Sequence, residues 1–427
     1  MKTFKSFLVV ILLSSFCFIS CKESEKAPQK KSYSNTFLFL SDIHLNSFKQ
    51  TTDYKVDDTG MILWNAFLQK ADSVIANTSP DFIIYTGDLP SHVKDCCIPL
   101  PENERVPHNK NIETILSGLR KLATKHKKTL LYLPGNNDGI AGDYASFADE
   151  NQQTPFSLIP ENKNPYPVLN INPVDSITPS MVSNPEPKMG YYSARPIDGL
   201  RVIALNTVIH SANFFGADGT NQLTDAQQQM TWLKNELQDA KSRFEKVYIA
   251  MHIPPGIDAY GYQKHGTNAT NWAKLPVNNP WNNQFLQIVA DYQNTISGIL
   301  YGHTHMDELR RLYDPSGQSI TEIAISCPGV TPIHDNNPGF KLVTYHPNSK
   351  ELLDFTTYYT VPSASTWGNA TYNFNETFGY SGDFSMYENL MTDSLDSIHV
   401  KLNKIYTVMH NAPSYNVEPG IEVKAEQ

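Results

Sequence analysis

Five short apolar runs each end on a residue able to bind a cation, and this recurrence constrains the chain more than any other feature. Thr36 to Ser41 leads into Asp42 and His44, and Asp81 to Thr86 into Gly87 and Asp88. Leu130 to Leu133 leads into Gly135, Asn136, Asn137 and Asp138; Val247 to Met251 into His252; and Ile296 to Tyr301 into Gly302, His303, Thr304 and His305. Short apolar runs bounded by turn residues read as buried strands. In α/β sheets, ligands gather outside the carboxyl ends of the strands, so the five termini predict one functional rim.

The residue types define the chemistry of that rim. A carboxylate can bridge two divalent cations, while imidazole and amide oxygen complete their shells. Nitrogen and oxygen donors without thiolate suit zinc, manganese or iron in a working site rather than a structural zinc knot. Asp-x-His, Gly-Asp, a lone His252 and Gly-His-x-His are each common; their ordered succession after apolar runs is not.

Around the rim, the expected elements alternate. Met61 to Ala76 places Ile62, Leu63, Phe67, Ala71, Val74 and Ile75 on one helical face, and Thr224 to Gln227 reads as a capping box for a helix through Leu237. Leu200 to Leu205 is a further strand. Ile323 to Ser326, Lys341 to Tyr345 and Leu352 to Tyr359 follow without helices, as in an antiparallel section. Tyr372 to Met409 carries the spacing of one or two helices, and residues beyond Asn411 read as a loose tail. Gly139 to Lys188, rich in Asn, Pro and Ser, is expected to be a long ordered loop such as a lid. The predicted class is α/β, with layers in the order α-β-β-α and a small C-terminal helical extension.

At 427 residues the chain can bury a large core. With 34 Lys and Arg against 43 Asp and Glu it lacks the basic footprint of bulk nucleic-acid binding. Residues 1–21 carry Lys2 and Lys5, an apolar run from Phe7 to Ile19, then Ser20 and Cys21, the form of a secretory signal. A small residue before cysteine resembles a bacterial lipobox, which makes Cys21 the expected lipidation site. Residues 22–35 read as a polar tether. The expected location is therefore outside the cytoplasm, on a membrane, periplasmic or at the cell surface. The five cysteines form no framework; pairing of Cys96 or Cys97 with Cys327, or free thiols, are the alternatives.

The ordered motifs resemble the calcineurin-like metallophosphoesterase superfamily. Gly87 to His92 (GDLPSH), His252 to Gly256 (HIPPG), Ile296 to Glu308 (ISGILYGHTHMDE) and Asn336 to Phe340 (NNPGF) are most similar to the acid sphingomyelinase-like phosphodiesterases. The resemblance implies a metallophosphoesterase sandwich over residues 36–360, followed by the extension and tail at 361–427. It implies two divalent ions, zinc with manganese or iron as alternatives. Asp42, His44, Asp88 and His305 would hold one, and Asp88, Asn136, His252 and His303 the other. The implied activity is hydrolysis of a phosphodiester or phosphoanhydride by a metal-bridging hydroxide.

By the same resemblance, His92 and Asn137 lie near the phosphate and the leaving group. Histidine is usual at position 137, and an amide cannot shuttle a proton at neutral pH, so His92 would carry the acid role. Tyr144 is a candidate for lining the substrate pocket or for packing its loop. Partners implied are a small phosphodiester, a nucleotide or a phospholipid headgroup, with the membrane reached through a lipid anchor. The polar composition of the 139–188 loop favours a soluble substrate. Competing expectations are a surface lipoprotein that binds phosphorylated ligands without turnover, a phosphomonoesterase, and a cytoplasmic phosphoprotein phosphatase; the N-terminal segment, GDLPSH and HIPPG oppose the last.

Overall fold

A computed structural model describes residues 34–53, 57–159, 181–259, 262, 269–335, 337–361, 366–382, 384–409 and 418–426. The expected signal, the lipidation site Cys21 and most of the tether lie outside the described residues. From Ser34 onward the chain is one compact unit.

Strands β1 (Asn35–Leu40), β2 (Phe82–Tyr85), β3 (Thr129–Tyr132), β4 (Met181–Ser183), β5 (Tyr192–Ile197), β6 (Leu200–Ala204) and β7 (Lys246–Ala250) are followed by β8 (Ile296–Tyr301), β9 (Leu309–Tyr313) and β10 (Ile320–Ser326). Then come β11 (Gly339–Tyr345), β12 (Leu352–Tyr359), β13 (Thr371–Asn373) and β14 (Glu422–Val423). One sheet runs β13-β12-β11-β1-β2-β3 and the other β14-β9-β10-β8-β7-β6-β5-β4. β1, β2 and β3 are parallel, with Leu38 opposite Ile83 and Ile83 opposite Leu130. In the second sheet β6, β7, β8 and β10 are parallel, so β1, β2 and β3 in one sheet, and β7 and β8 in the other, each point their carboxyl ends one way.

Side-chain alternation builds the layers. Successive strand residues face opposite sides. Val202, Ala204, Tyr248, Ala250 and Leu300 thus pack with Phe37, Ile83 and Leu131 of the other sheet. Their neighbours Ile203, Ile249 and Ile299 instead meet helices α3 (Gln222–Ser242) and α4 (Trp281–Asp291) through Leu233, Leu237, Phe285 and Val289. On the far side of the first sheet lie α1 (Met61–Thr78) and α2 (Glu102–His126), which contribute Phe67, Ile75, Ile115 and Leu119. The result is the expected α-β-β-α order.

Several expectations change. Ile62 is exposed, and Trp64 and Ala66 take the buried face of α1. The cap of α3 is Asn221, whose side chain accepts from the Thr224 amide, so the helix starts before the expected capping box. α2, α4 and β9 were not anticipated; α2 contains Pro107, ordinarily a helix breaker, and is sustained by Ile112, Ile115, Leu116 and Leu119 against the sheet. β10 pairs in parallel with β8, so the late strands are not wholly antiparallel.

The C-terminal region also differs. It forms three helices, α5 (Phe374–Phe378), α6 (Met386–Thr392) and α7 (Leu395–Met409). Instead of a loose tail, α8 (Glu418–Ile421) leads into β14, which pairs with β9. Glu422 accepts from Arg311 at 2.8 Å and from the Tyr313 hydroxyl at 2.6 Å, and Ile421 and Val423 are buried. Residues 139–149 are largely buried rather than lid-like: Leu100 donates to Ala141 at 2.8 Å, Ser146 to Phe215 at 3.0 Å, and His108 bonds the Gly139 carbonyl at 2.9 Å. The middle of the expected lid, 160–180, lies outside the described residues.

Leu390 on α6 is fully buried in the inter-sheet core. Leu390→Ala is expected to lower stability by about 2–5 kcal/mol in a single denaturant transition, because its cavity opens in the shared core. A separate early transition would show that the extension folds independently. On β10, burial lifts the Glu322 carboxyl from its ordinary 4.5 to about 8. The folded chain then holds a proton that the unfolded chain releases, so this group's contribution makes stability fall as pH rises from about 4.5 to about 8. Glu322→Gln is expected to flatten that decline in denaturant midpoints measured at pH 5 and pH 8.

Candidate metal centre

The seven predicted ligands meet at the strand ends although they span residues 42 to 305. His44 Nε2 and His252 Nε2 each lie 3.2 Å from Asp88 Oδ2. His44 Nε2 is 3.1 Å from His305 Nε2, and the latter is 3.5 Å from Asp42 Oδ1. On the other side, Asn136 Oδ1 is 3.1 Å from His252 Nε2 and 2.9 Å from His303 Nδ1. Two groups result that share Asp88: Asp42, His44, Asp88 and His305, and Asp88, His252 and His303 with Asn136 beside them.

Hydrogen bonds behind the centre decide which atoms face inward. His44 Nδ1 meets the Pro90 carbonyl at 3.1 Å and His252 Nδ1 the Thr86 carbonyl at 2.7 Å. A carbonyl only accepts, so each Nδ1 carries the hydrogen and each Nε2 presents a lone pair. Asn136 Nδ2 donates to Asp143 Oδ1 at 2.8 Å, which turns its carbonyl oxygen toward the histidines. Lone pairs of two imidazoles, an amide and a carboxylate thus face one another at about hydrogen-bond distance with no hydrogen between them in these tautomers. Divalent cations satisfy that arrangement, so the donor set fits the metals the sequence implies.

Charge coupling within the site follows. Burial opposes the charged imidazoles of His44 and His252, but the neighbouring Asp88 carboxylate outweighs it and holds both at about 9, so it is a bound cation that would displace the proton from each Nε2 and take up the lone pair. Burial and the charge on His252 push His303 down to about 3, while burial and His44 hold His305 well below the usual range. Burial lifts Asp42 to about 6; for Asp88 burial is outweighed by His252 and His44, which keep it well below the ordinary carboxylate range.

The backbone is bent to deliver these groups. Asp42, His44, Asp88, His303 and His305 have φ of 47°, 45°, 62°, 72° and 57°, the left-handed region non-glycine residues seldom enter. Gly87 has φ 94°, and a Cβ there would sit 2.2 Å from the Gly135 amide nitrogen. A Cβ on Gly135 would come 2.2 Å from Asp88 Oδ1. Asp138 joins the two loops: its carboxylate accepts from the amides of Asp88, Leu89 and Gly135 and from the Tyr132 hydroxyl, at 3.1, 2.6, 2.7 and 2.9 Å.

The remaining nominated residues are placed differently. His92 stacks on His44 with ring centroids 3.9 Å apart, its side chain 32% exposed. Asn137 is fully buried and turns both its nitrogens to the shared carboxylate, its amide to Asp88 Oδ1 at 2.8 Å and its Nδ2 to Oδ2 at 3.1 Å. Tyr144 is half-buried, its amide donates to the Asn136 backbone carbonyl at 2.7 Å, and its ring packs against the outer core. The cysteine expectation is corrected: Cys96 is joined to Cys97, while Cys327 is buried beneath the site with its thiol toward the Phe39 carbonyl, out of reach of either.

Three residues at the site escaped the sequence reading, and a fourth, Asp138, was named at its strand end without a role. Asp138 and Asp143 lie behind Asp88 and Asn136, Asp58 bonds His92, and His334 sits with its ring 5.1 Å from His305 and 6.1 Å from His92. Asp138 closes the Asn-Asn-Asp run, which was itself a signal; Asp58, Asp143 and His334 come from loops with no pattern.

Residues 36–307 match the calcineurin-like phosphoesterase family over most of the chain. The chain belongs to that family. Among curated proteins, this phosphoesterase is 30% identical over 312 residues to sphingomyelinase phosphodiesterase D of Dictyostelium discoideum, covering 71% of the chain and 60% of that relative. It is 29% identical over 289 residues to the cyclic GMP-AMP phosphodiesterase SMPDL3A of Mus musculus, covering 65% of the chain and 56% of that relative. It is 25% identical over 425 residues to the human acid sphingomyelinase-like phosphodiesterase 3b, covering 89% and 83%. The chain thus spans little more than half the length of the first two relatives. Among solved structures, a dimetal phosphatase from Danio rerio aligns at 13% identity with a TM-score of 0.47, over 79% of this chain and 98% of that one.

The Gly135 contact gives a direct test of the centre. Gly135→Ala is expected to displace the Asp88 carboxylate, lowering the melting temperature and, after dialysis against zinc or manganese, the bound metal relative to the native chain. Native metal content in that variant would show that Asp88 does not need this approach.

Proposed function

We propose that this phosphoesterase is an exported, lipid-anchored, dinuclear metal-dependent phosphodiesterase. The observation that carries the proposal is the convergence of two ligand groups on one shared carboxylate, Asp88, with Nε2 lone pairs of His44 and His252 aimed inward. Asp42, His44, Asp88 and His305 would hold one cation, and Asp88, Asn136, His252 and His303 the other, zinc with manganese or iron as alternatives. Two divalent cations at such a site neutralise the phosphate, acidify water and steady the attacking and leaving oxygens of an in-line displacement.

The chain's own residues supply the rest. Thr86 and Pro90 carbonyls fix the ligand imidazoles, and Asn137 holds both oxygens of Asp88. His92 lies flat on His44 with part of its ring exposed, which suits it to protonate the leaving oxygen. A phosphodiester substrate accords with the named activities of the relatives on sphingomyelin and cyclic GMP-AMP. Export and anchoring rest on the N-terminal apolar run and Cys21. One observation favours a second reading, a phospholigand-binding protein with little turnover: Asn137 replaces the usual histidine and is engaged with Asp88.

The test is turnover of bis(p-nitrophenyl) phosphate beside p-nitrophenyl phosphate, by mature chain stripped with chelator and reconstituted with zinc or manganese. Metal-restored preference for the diester is expected, and Asp88→Asn should remove most of it, about 100-fold or more, since the bridging charge stabilises both cations. Preference for the monoester would make the protein a phosphomonoesterase. Metal binding without turnover of either would favour the binding reading.

A further inference from the structure

We infer that Asp58 is a positioning residue for His92, forming a carboxylate-histidine pair that takes over the proton-donor geometry withdrawn by Asn137; this rests on the phosphodiesterase reading above. Asp58 lies at the end of the loop between β1 and α1, and its side chain is 10% exposed. Its two oxygens grip His92 twice: Oδ2 accepts from the backbone amide and Oδ1 meets ring Nδ1, both at 2.9 Å. The Thr331 hydroxyl, from the loop after β10, donates to the same Oδ1 at 3.2 Å. Three loops that are distant in sequence are thereby joined through one carboxylate.

The pair determines two things about the imidazole. A carboxylate is held at the edge of a ring whose face lies on His44, so the ring can neither flip nor leave the stack without breaking the bond to Asp58. Because a carboxylate in its usual form only accepts, Nδ1 bears the hydrogen and Nε2 is the ring nitrogen left to meet a substrate oxygen. A backbone amide bound to the same carboxylate prevents Asp58 from following the ring if it turns. An isolated loop histidine would need none of these constraints. By contrast, Asn137 is fully buried with its backbone and side-chain nitrogens turned inward on Asp88, and an amide has no proton to give at neutral pH.

In the step this serves, the bond from phosphorus to the leaving oxygen breaks as the bond to the attacking water oxygen forms, and the proton on His92 Nε2 passes to the leaving oxygen. His92 recovers a proton from the water consumed, so the net reaction is hydrolysis.

The experiment compares methyl p-nitrophenyl phosphate with methyl phenyl phosphate, using the full mature chain reconstituted with zinc or manganese. Phenolate needs a proton to depart far more than nitrophenolate does. His92→Ala and Asp58→Asn are each expected to lower kcat on the phenyl ester about 10-fold more than on the nitrophenyl ester, and the double variant no further, since both act on one transfer. Thr331→Val, which is nearly isosteric and removes the hydroxyl that donates to Asp58 and accepts from the Ile333 amide, is expected to show the same bias more weakly. Equal losses on both esters for Asp58→Asn, or loss of bound metal with them, would overturn the positioning role and leave Asp58 a structural residue. Additive losses in the double variant would do the same. If the native chain hydrolyses neither ester with metal bound, the phosphodiesterase reading itself fails; if it hydrolyses both and the variants keep its leaving-group dependence, only the Asp58 inference fails.

Discussion

The whole site depends on how Asp88 is held between two loops. Its main chain is locked from both directions: the amide donates to Asp138, and the carbonyl accepts from Ile43, His44 and the Tyr85 hydroxyl. Its carboxylate is held by Asn137. Asp138 is itself held by four donors, which offset part of the burial and of the Asp88 repulsion that together lift its carboxyl to about 7. The loops after β2 and β3 are consequently one rigid body, and Asp88 stands where both ligand groups need it. Gly87 and Gly135 are necessary because the two backbones approach too closely for a Cβ on either.

Rigidity of this kind offsets local strain. Five ligands adopt left-handed backbone, each at about 1–3 kcal/mol for a non-glycine residue. Such conformations persist only where the surroundings over-determine them. Here the surroundings are two sheets whose facing sides are packed through Phe37, Ile83, Tyr248 and Leu300, together with helices on both outer faces. The parallel strands therefore serve as a frame whose stability is spent on presenting turned loops at one rim, and β14 closes the same sheet by pairing its last residues with β9.

That frame also separates positioning from chemistry. Groups facing the centre hold lone pairs inward, and each is oriented by a partner behind it: Pro90 for His44, Thr86 for His252, Asp143 for Asn136. His92 repeats the pattern one layer further out, with Asp58 behind it and His44 beneath it. At position 137 an amide stands where the resemblance implies imidazole, and both its nitrogens hold the Asp88 carboxylate.

The sequence by itself determined the strands of the rim and the residue types at their ends. Period-two burial needs apolar runs, and divalent cations need carboxylate, imidazole and amide, so both leave marks readable without coordinates. The predicted ligands Asp42, His44, Asp88, Asn136, His252, His303 and His305 were legible for that reason, and the structure brings them together. Only the tertiary structure decided the partners behind them. Asp58 and His334 are ordinary loop residues whose roles arise from chain segments tens to hundreds of residues away, and Asp143, only seven residues from Asn136, reaches it because the intervening loop is folded back and buried. α2 with its internal proline, the exposed Ile62 and the strand at Glu422–Val423 escaped for a related reason: each is held by packing against distant elements that overrides its local preference.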